Sequence, residues 1–427
     1  MKQRSGLKTK NFWKLKLVAA LLAAALLFAG CTPASPGGVF YVEFTMRRQD
    51  VRIDGRQLSA YDFDALAGKM HARVTALEEA FSTDIEGSDL FALNHAAAGE
   101  AVNVSADTLE AFSLSSAYAA LTQDGFSPAL FPLTELWGFS PAHAGHYNDP
   151  RPSPSEQEIE AALAVSDLSL FTADAAAGTL TKAESGAMLD FGGIAKGYMC
   201  DAALEVLQEA YAGRQIDAIF SVMSNHVLLG QKQTADGTRR GYTVAIENPR
   251  YSQDMPEAAN ALYLTDISDC AVTTSGDNIR FYVYEGRLYP HILDAHTGEP
   301  ADNGIIGITI VMPLAVPHAG ALSDALSTAG FCMPLKQALA FYEQMSEQFG
   351  ATAVVITADY NYYAVGSANV LGRKEYARYS NEVLGTDVDI ASVEEVFSPA
   401  AAAEAADEVT PCEEELAYRE RMEAKYK

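Results

Sequence analysis

The chain is short of several things, and each shortage excludes something. Only five of its 427 residues are cysteine, with no CxxC pair and no histidine at ligand spacing, which argues against a structural zinc site. Cationic side chains are scarce too: 30 Lys and Arg face 56 Asp and Glu, for a formal net charge of −26 and an isoelectric point near 4.6. Such a surface repels phosphate backbones, so nucleic acid is set aside as a partner. By the same argument, an anionic ligand requires local help from a metal, a lysine or helix N-termini. No internal repeat is present. What is abundant is apolar: 49% of residues are hydrophobic and 10% aromatic, enough for one large globular domain or two medium ones.

The first thirty residues read as a leader and not as fold. Lys2, Arg4, Lys8, Lys10, Lys14 and Lys16 form a basic region, and Leu17 to Phe28 an apolar one. That run falls well short of the ~20 residues a membrane span requires. Ala29-Gly30-Cys31 stands where a small-residue cleavage site belongs and looks like a bacterial lipobox, in which the Cys31 thiol is lipidated. The expectation is a lipoprotein signal peptide over 1–30, a Pro/Gly tether over 31–38, and a protein anchored by lipid on the extracytoplasmic face of the cell membrane. Cys200 and Cys332 sit in apolar contexts and read as buried hydrophobes.

From residue 39 to about 370 strand-like and helix-like segments alternate without a long linker. Leu66, Met70, Val74, Leu77 and Phe81 keep helical spacing, as do stretches over 108–121, 153–163 and 195–212. Strands are expected near 218–222, 242–246, 262–264, 280–284, 305–311 and 353–357. So many adjacent strands between 215 and 315 indicate a mixed α+β domain, not a regular doubly wound sheet. Beyond residue 370 the composition turns to Ala, Glu and Asp, and residues 371–427 are expected to form an acidic extension, disordered or an exposed helix.

Three segments carry chemistry. Asp190-Phe191-Gly192-Gly193-Ile194-Ala195-Lys196-Gly197 runs into an amphipathic helix. Glycines allow close backbone approach to a phosphate, the helix N-terminus offers free N–H donors, and Lys196 adds a point charge for a diphosphate. The segment from Pro290 to Pro300 holds His291 and Asp294 ahead of a Thr297-Gly298 turn. A histidine titrating near neutrality beside a carboxylate can serve as general base. In the segment from Ala319 to Phe331, Asp324 and Thr328 lie four apart on one helical face. One carboxylate and one hydroxyl make half a shell for Mg²⁺, which keeps several waters or phosphate oxygens. Each segment alone reads equally well as a turn, a surface histidine or a helix cap.

Their order and spacing add what each lacks. Asp190–Gly197, Thr274–Asp277, His291–Pro300 and Ser323–Thr328 resemble, in sequence order, the DLGGIAKG, TSGD, HI(I/L)DPxTGxP and ADALST segments of the ApbE family, the FAD:protein FMN transferases. Phe81-Ser82-Thr83 with Ser88 and Asn94, Gly125-Phe126-Ser127-Pro128, Leu136-Trp137-Gly138-Phe139 and Val244 to Pro249 extend the likeness over roughly residues 40–368. The resemblance implies that Asp190 and Lys196 hold FAD as substrate, with Gly125, Phe126 and Ser127 beside it. It implies Mg²⁺ on the Gly193 carbonyl, Asp324 and Thr328, and His291 as the base for an acceptor threonine, with Asp294 orienting it or closing the local turn. The implied reaction moves FMN from FAD to extracytoplasmic flavoproteins of electron-transfer systems and releases AMP. The rival readings are an FAD pyrophosphatase giving FMN and AMP, and a non-catalytic FAD-binding lipoprotein. Departures from the family pattern gather around the flavin: Asp84 in place of a tyrosine, Ser127 of an aspartate, Met223-Ser224 of a glycine pair.

Overall fold

The computed structural model describes residues 42–234, 237–251 and 259–427. The basic leader, Cys31 and the tether lie outside the described residues. A mixed ten-stranded sheet organises the rest. Its main strands are β1 (Phe44–Met46), β2 (Ile216–Val222), β3 (Asn225–Leu229), β4 (Cys270–Gly276), β5 (Ile305–Pro313), β6 (Thr352–Thr357), β7 (Asn361–Val365) and β8 (Ser398–Pro399). The order across the sheet is β8-β7-β6-β5-β4-β3-β2, with β1 on the far side of β2. Each of these pairs is antiparallel except β7 with β8. The α+β architecture expected from the sequence is the one present.

Both faces of this sheet are buried, which is why its central strands read as unbroken apolar runs. In β6, Ala353 and Val355 join the core under the helices, while Val354 and Ile356 join a second core. In β5 the alternation changes phase: Ile305 faces the helices and Ile306 the second core, but Ile308, Ile310 and Met312 face the helices again. A register shift between Ile305 and Gly307 accounts for the switch, as a bulge does when it inserts one residue. The second core is closed by a three-stranded sheet of Tyr242–Glu247, Asn260–Ile267 and Asn369–Gly372.

The helical layer contains α1 (Ala60–Phe81), α2 (Ala106–Leu121), α3 (Ala195–Ala210), α4 (Ala319–Ala329) and α5 (Leu335–Phe349). In α1 the buried residues are the periodic stripe Leu66, Met70, Val74, Leu77 and Phe81, each contributing roughly 1.5–3 kcal/mol on burial. Ser59 caps its N-terminus by accepting the Asp62 N–H at 3.1 Å. Helices α3 and α4 cross where both carry glycine. A Cβ on Gly197 would collide with the Gly320 carbonyl, and one on Gly320 with the Gly197 carbonyl. Only glycine permits that backbone-to-backbone approach, and it sets the distance between the two helices' polar residues.

The chain beyond residue 370 differs from the expected acidic extension. Asn369–Gly372 is a strand of the second sheet, β8 pairs with β7, and Phe397 is buried in the second core. A final helix, α6 (Glu413–Tyr426), buries Glu415 and Tyr418. Residues 40–427 accordingly form one compact unit with no boundary near 370. Average composition concealed this, because a few apolar residues spaced i, i+4, i+8 (Tyr418, Met422, Tyr426) do the packing inside a charged helix.

Candidate active site

The loop before α3 is held from beneath. Asn94 accepts the Leu189 N–H (2.8 Å) and donates to the Leu189 carbonyl (2.9 Å), imitating a strand neighbour. Lys182, fully buried, donates to the carbonyls of Asn94, Ser185 and Ala187. Three carbonyls satisfy its three N–H bonds, so this lysine is structural. Nothing in its sequence context marks it. Phe191 packs edge-on against Phe81 of α1 at 5.2 Å between ring centres. Asp190 is tied to the 125–128 segment by its N–H, which bonds the Pro128 carbonyl at 2.8 Å. Its carboxylate accepts the Gly192 N–H, and burial pushes its carboxyl up against the opposing pull of that bond and of Arg280 and Lys196.

Three distant segments meet at Gly193. A Cβ there would stand 2.9 Å from the Phe126 ring and 3.5 Å from Thr328 Oγ1. A Cβ on Gly125 would stand 3.2 Å from the carbonyl of Ala329 at the end of α4. Ser127 lies in the same stretch, its hydroxyl accepting the Ala129 N–H. Asp324 is fully buried. Its Oδ2 accepts the Gly197 N–H at 3.0 Å. Lys196 Nζ stands 3.2 Å from Oδ1 and donates to the Gly192 carbonyl at 3.0 Å. The lysine contact at Oδ1 is an ion pair without hydrogen-bond alignment, and that oxygen has no hydrogen bond among the described residues. Thr328 Oγ1 donates back to the Asp324 carbonyl at 3.2 Å.

This donor set fits a small hard cation. A buried carboxylate oxygen without a hydrogen bond, a hydroxyl and a nearby glycine backbone are oxygen ligands, few in number, as Mg²⁺ takes when phosphate and water complete its shell. Strand β4 fixes α4 in place: Thr273 Oγ1 shares hydrogen bonds with Asn225 and Ser323, and Ser275 with Ser327. Through Ser275 the TSGD segment supports the helix that carries Asp324.

His291 follows a hairpin of two strands, Phe281–Tyr284 and Arg287–Pro290. Its backbone N–H and its Nδ1 both reach the Arg280 carbonyl, at 2.9 and 3.1 Å. A carbonyl only accepts, so Nδ1 carries the proton and Nε2 keeps its lone pair. Burial, with the charges of Arg280 and Lys196, holds the imidazole down at about 3. One sequence expectation is therefore corrected: His291 does not titrate near neutrality. Of the two roles implied for Asp294, closing the local turn is the one present, its carboxylate taking the backbone N–H and ring Nδ1 of His296. That turn is further pinned by buried Trp137, whose indole donates to the Gly298 carbonyl at 2.8 Å.

Of the flavin-side departures, Asp84 is exposed in a turn capped by Ser82. Met223 sits at the tip of the β2–β3 hairpin with φ +53°, a left-handed conformation that glycine adopts without strain.

A lysine and a glycine loop at a helix N-terminus, beside a buried carboxylate and a hydroxyl, make a phosphoryl-transfer type of centre. Residues 42–353 match the model of the ApbE family. The chain belongs to that family. It is 25% identical over 319 residues to the FAD:protein FMN transferase of Klebsiella pneumoniae (strain 342), covering 71% of this chain and 83% of that protein. Against the protein of the same name from Treponema pallidum it is 27% identical over 311 residues, covering 69% and 79%. The structure of Pseudomonas stutzeri flavinyl transferase ApbE in its apo form superposes with a TM-score of 0.58 at 25% identity, over 82% of this chain and 98% of that one.

Proposed function

We propose that this protein is an FAD:protein FMN transferase that uses Mg²⁺ and modifies a threonine of an acceptor protein. The observation that carries this is the convergence of Gly193, Thr328 and Lys196 on the buried Asp324. The Lys196 ammonium and the N-terminus of α3 neutralise the diphosphate of FAD. His291 Nε2 accepts the proton of the threonine hydroxyl. The freed oxygen bonds to the FMN phosphorus while the bond to the AMP oxygen breaks, leaving FMN as a phosphoester on the acceptor. A divalent ion on Asp324, Thr328 and the Gly193 carbonyl would stabilise negative charge on the diphosphate. An imidazole held at about 3 is unprotonated at neutral pH and so always ready, but intrinsically weak. Positioning must supply the remainder.

The test is incubation with FAD, Mg²⁺ and an acceptor flavoprotein, followed by intact mass. A single FMN-sized increment, absent with EDTA, is expected. Free FMN and AMP without an increment would assign hydrolysis instead. Lipidation of Cys31 and an extracytoplasmic acceptor belong to the same reading, supported by the leader sequence. Cys31→Ala should release the protein from the membrane fraction, and a wild-type protein found soluble without lipid mass would remove the anchor.

A further inference from the structure

We infer that the C-terminal helix α6 is a latch on the 281–290 hairpin that positions His291, with Glu415 as its principal positioning residue. The inference rests on His291 being the base, and the helix lies outside the span matched by the family model, 42–353.

The latch holds the chain leading into the hairpin and the hairpin's tip. Ahead of Phe281, buried Arg250 forks between two carboxylates, Asp277 and Glu415 of α6. Its Nη1 and Nη2 donate to Asp277 at 2.6 and 2.7 Å, and its Nε and Nη2 donate to Glu415. Arg419, one turn along α6, donates to Glu415 at 2.9 Å. Two cations thus meet two anions, so α6 brings in both a carboxylate and its counter-charge. A buried cluster is tolerated only when it is paired in this way. Tyr418 covers the Arg250 guanidinium at 4.6 Å and packs with Phe281, Val283 and Leu288 of the hairpin. At the tip, Glu423 accepts the N–H groups of Glu285 and Gly286 at 3.2 and 3.1 Å. Both residues have positive φ, +52° and +77°. For Glu285 that is an uncommon conformation, and the carboxylate of Glu423 holds it in place.

The hairpin is the element that aims His291. Phe281 pairs with Pro290, so the first residue before the hairpin, Arg280, lies beside the first after it, His291. The Arg280 carbonyl is what orients the ring. A hairpin of two short strands is marginal alone. Here Tyr282 and Tyr289 pack one face on Trp137 and Phe139, and α6 supports the other through Phe281, Val283 and Leu288, whereas Asp190, Lys196, Asp324 and Thr328 are carried by α3, α4 and their loops. Loosening α6 should therefore disturb the base and spare the diphosphate side.

The experiment measures FMN transfer by full-length Glu415→Gln, Glu423→Ala and His291→Ala with FAD varied and acceptor saturating. The Glu423 variant leaves the buried Arg250 cluster intact, so it reports even if the Glu415 variant folds poorly. Misplacement of a reacting group by about 1 Å costs on the order of 10²-fold. The expected result is kcat down about tenfold or more for Glu415→Gln and severalfold for Glu423→Ala, with KM for FAD within about twofold in both. A lowered melting temperature with unchanged kcat in both variants would overturn the latch, leaving α6 a cap. So would kcat and KM worsening together. Unchanged transfer by His291→Ala would remove the base assignment, and the latch with it.

Discussion

The two halves of the site are built by different means. The diphosphate and metal half is assembled from helix backbones in direct contact, where Gly197 and Gly320 leave no room for a Cβ. Its polar groups are fixed by residues close to them, such as Asn94 on Leu189 and Ser323 and Ser327 on β4. The base half hangs on a short hairpin steadied by charged residues from the far end of the chain. On the proposed reading, the first half binds and polarises, and the second accepts one proton. The difference predicts distinct failures.

The largest expected effect lies in the first half. Asp324→Ala removes the only carboxylate of the cation half-shell. Loss of partners merely behind a metal's ligands costs ~10–100-fold, so loss of a ligand should cost more. Transfer at limiting Mg²⁺ should fall below detection, as read by acceptor mass, and excess Mg²⁺ should restore little. Near wild-type transfer would detach the metal role from Asp324.

The next effect belongs to the second half. His291→Ala should slow transfer by about 10²–10⁴-fold, the span of a positioned general base, and leave FAD affinity within a small factor. Partial recovery at high pH is expected, since hydroxide can replace the lost base. Equal loss of FAD binding, by fluorescence titration, would make His291 a packing residue of the diphosphate half.

A third change tests the helix crossing itself. Gly197→Ala places a methyl group against the Gly320 carbonyl and should destabilise the fold by about 1–3 kcal/mol. An alanine at Gly286, where open space surrounds the Cβ and only φ is strained, should cost less. Urea midpoints compare the two directly.

How much of this was legible in the sequence also divides along the same line. In the first half, glycine spacing marked Asp190 and Lys196, and the i, i+4 relation put Asp324 and Thr328 on one face. That the two segments meet at Gly193 was implied by the resemblance alone, and the structure brings them together. The surrounding elements follow apolar periodicity, as α1 does over Leu66 to Phe81. The second half was read only as His291. Its partner turned out to be the Arg280 carbonyl, and a backbone carbonyl eleven residues away leaves no mark in composition. Asp294, nearby in sequence, closes the turn, one of the two roles the resemblance left open for it. Glu415 was hidden further still, because its meaning depends on Arg250, 165 residues away. In an acidic tail a buried carboxylate looks like any other. Only the Tyr418, Met422, Tyr426 spacing signalled that this tail packs.

A last expected effect is on stability against pH. His291 is held near 3 in the folded protein, against ~6.5 for an unfolded histidine. Between those values the unfolded chain binds the proton and the folded one does not. The contribution is therefore fully present above ~6.5 and lost as pH falls toward 3. His291→Gln should flatten the fall of the urea midpoint between about pH 6.5 and 4. An unaltered slope would mean that the ring exchanges its proton freely with solvent.

The division into two halves is tested most directly by one paired measurement: Mg²⁺-dependent FAD binding and acceptor mass shift, taken together on Asp324→Ala and His291→Ala. The account requires that Asp324→Ala lose both the Mg²⁺ dependence of binding and the mass shift, while His291→Ala lose the mass shift and keep Mg²⁺-dependent binding. The same pattern in both variants would contradict it.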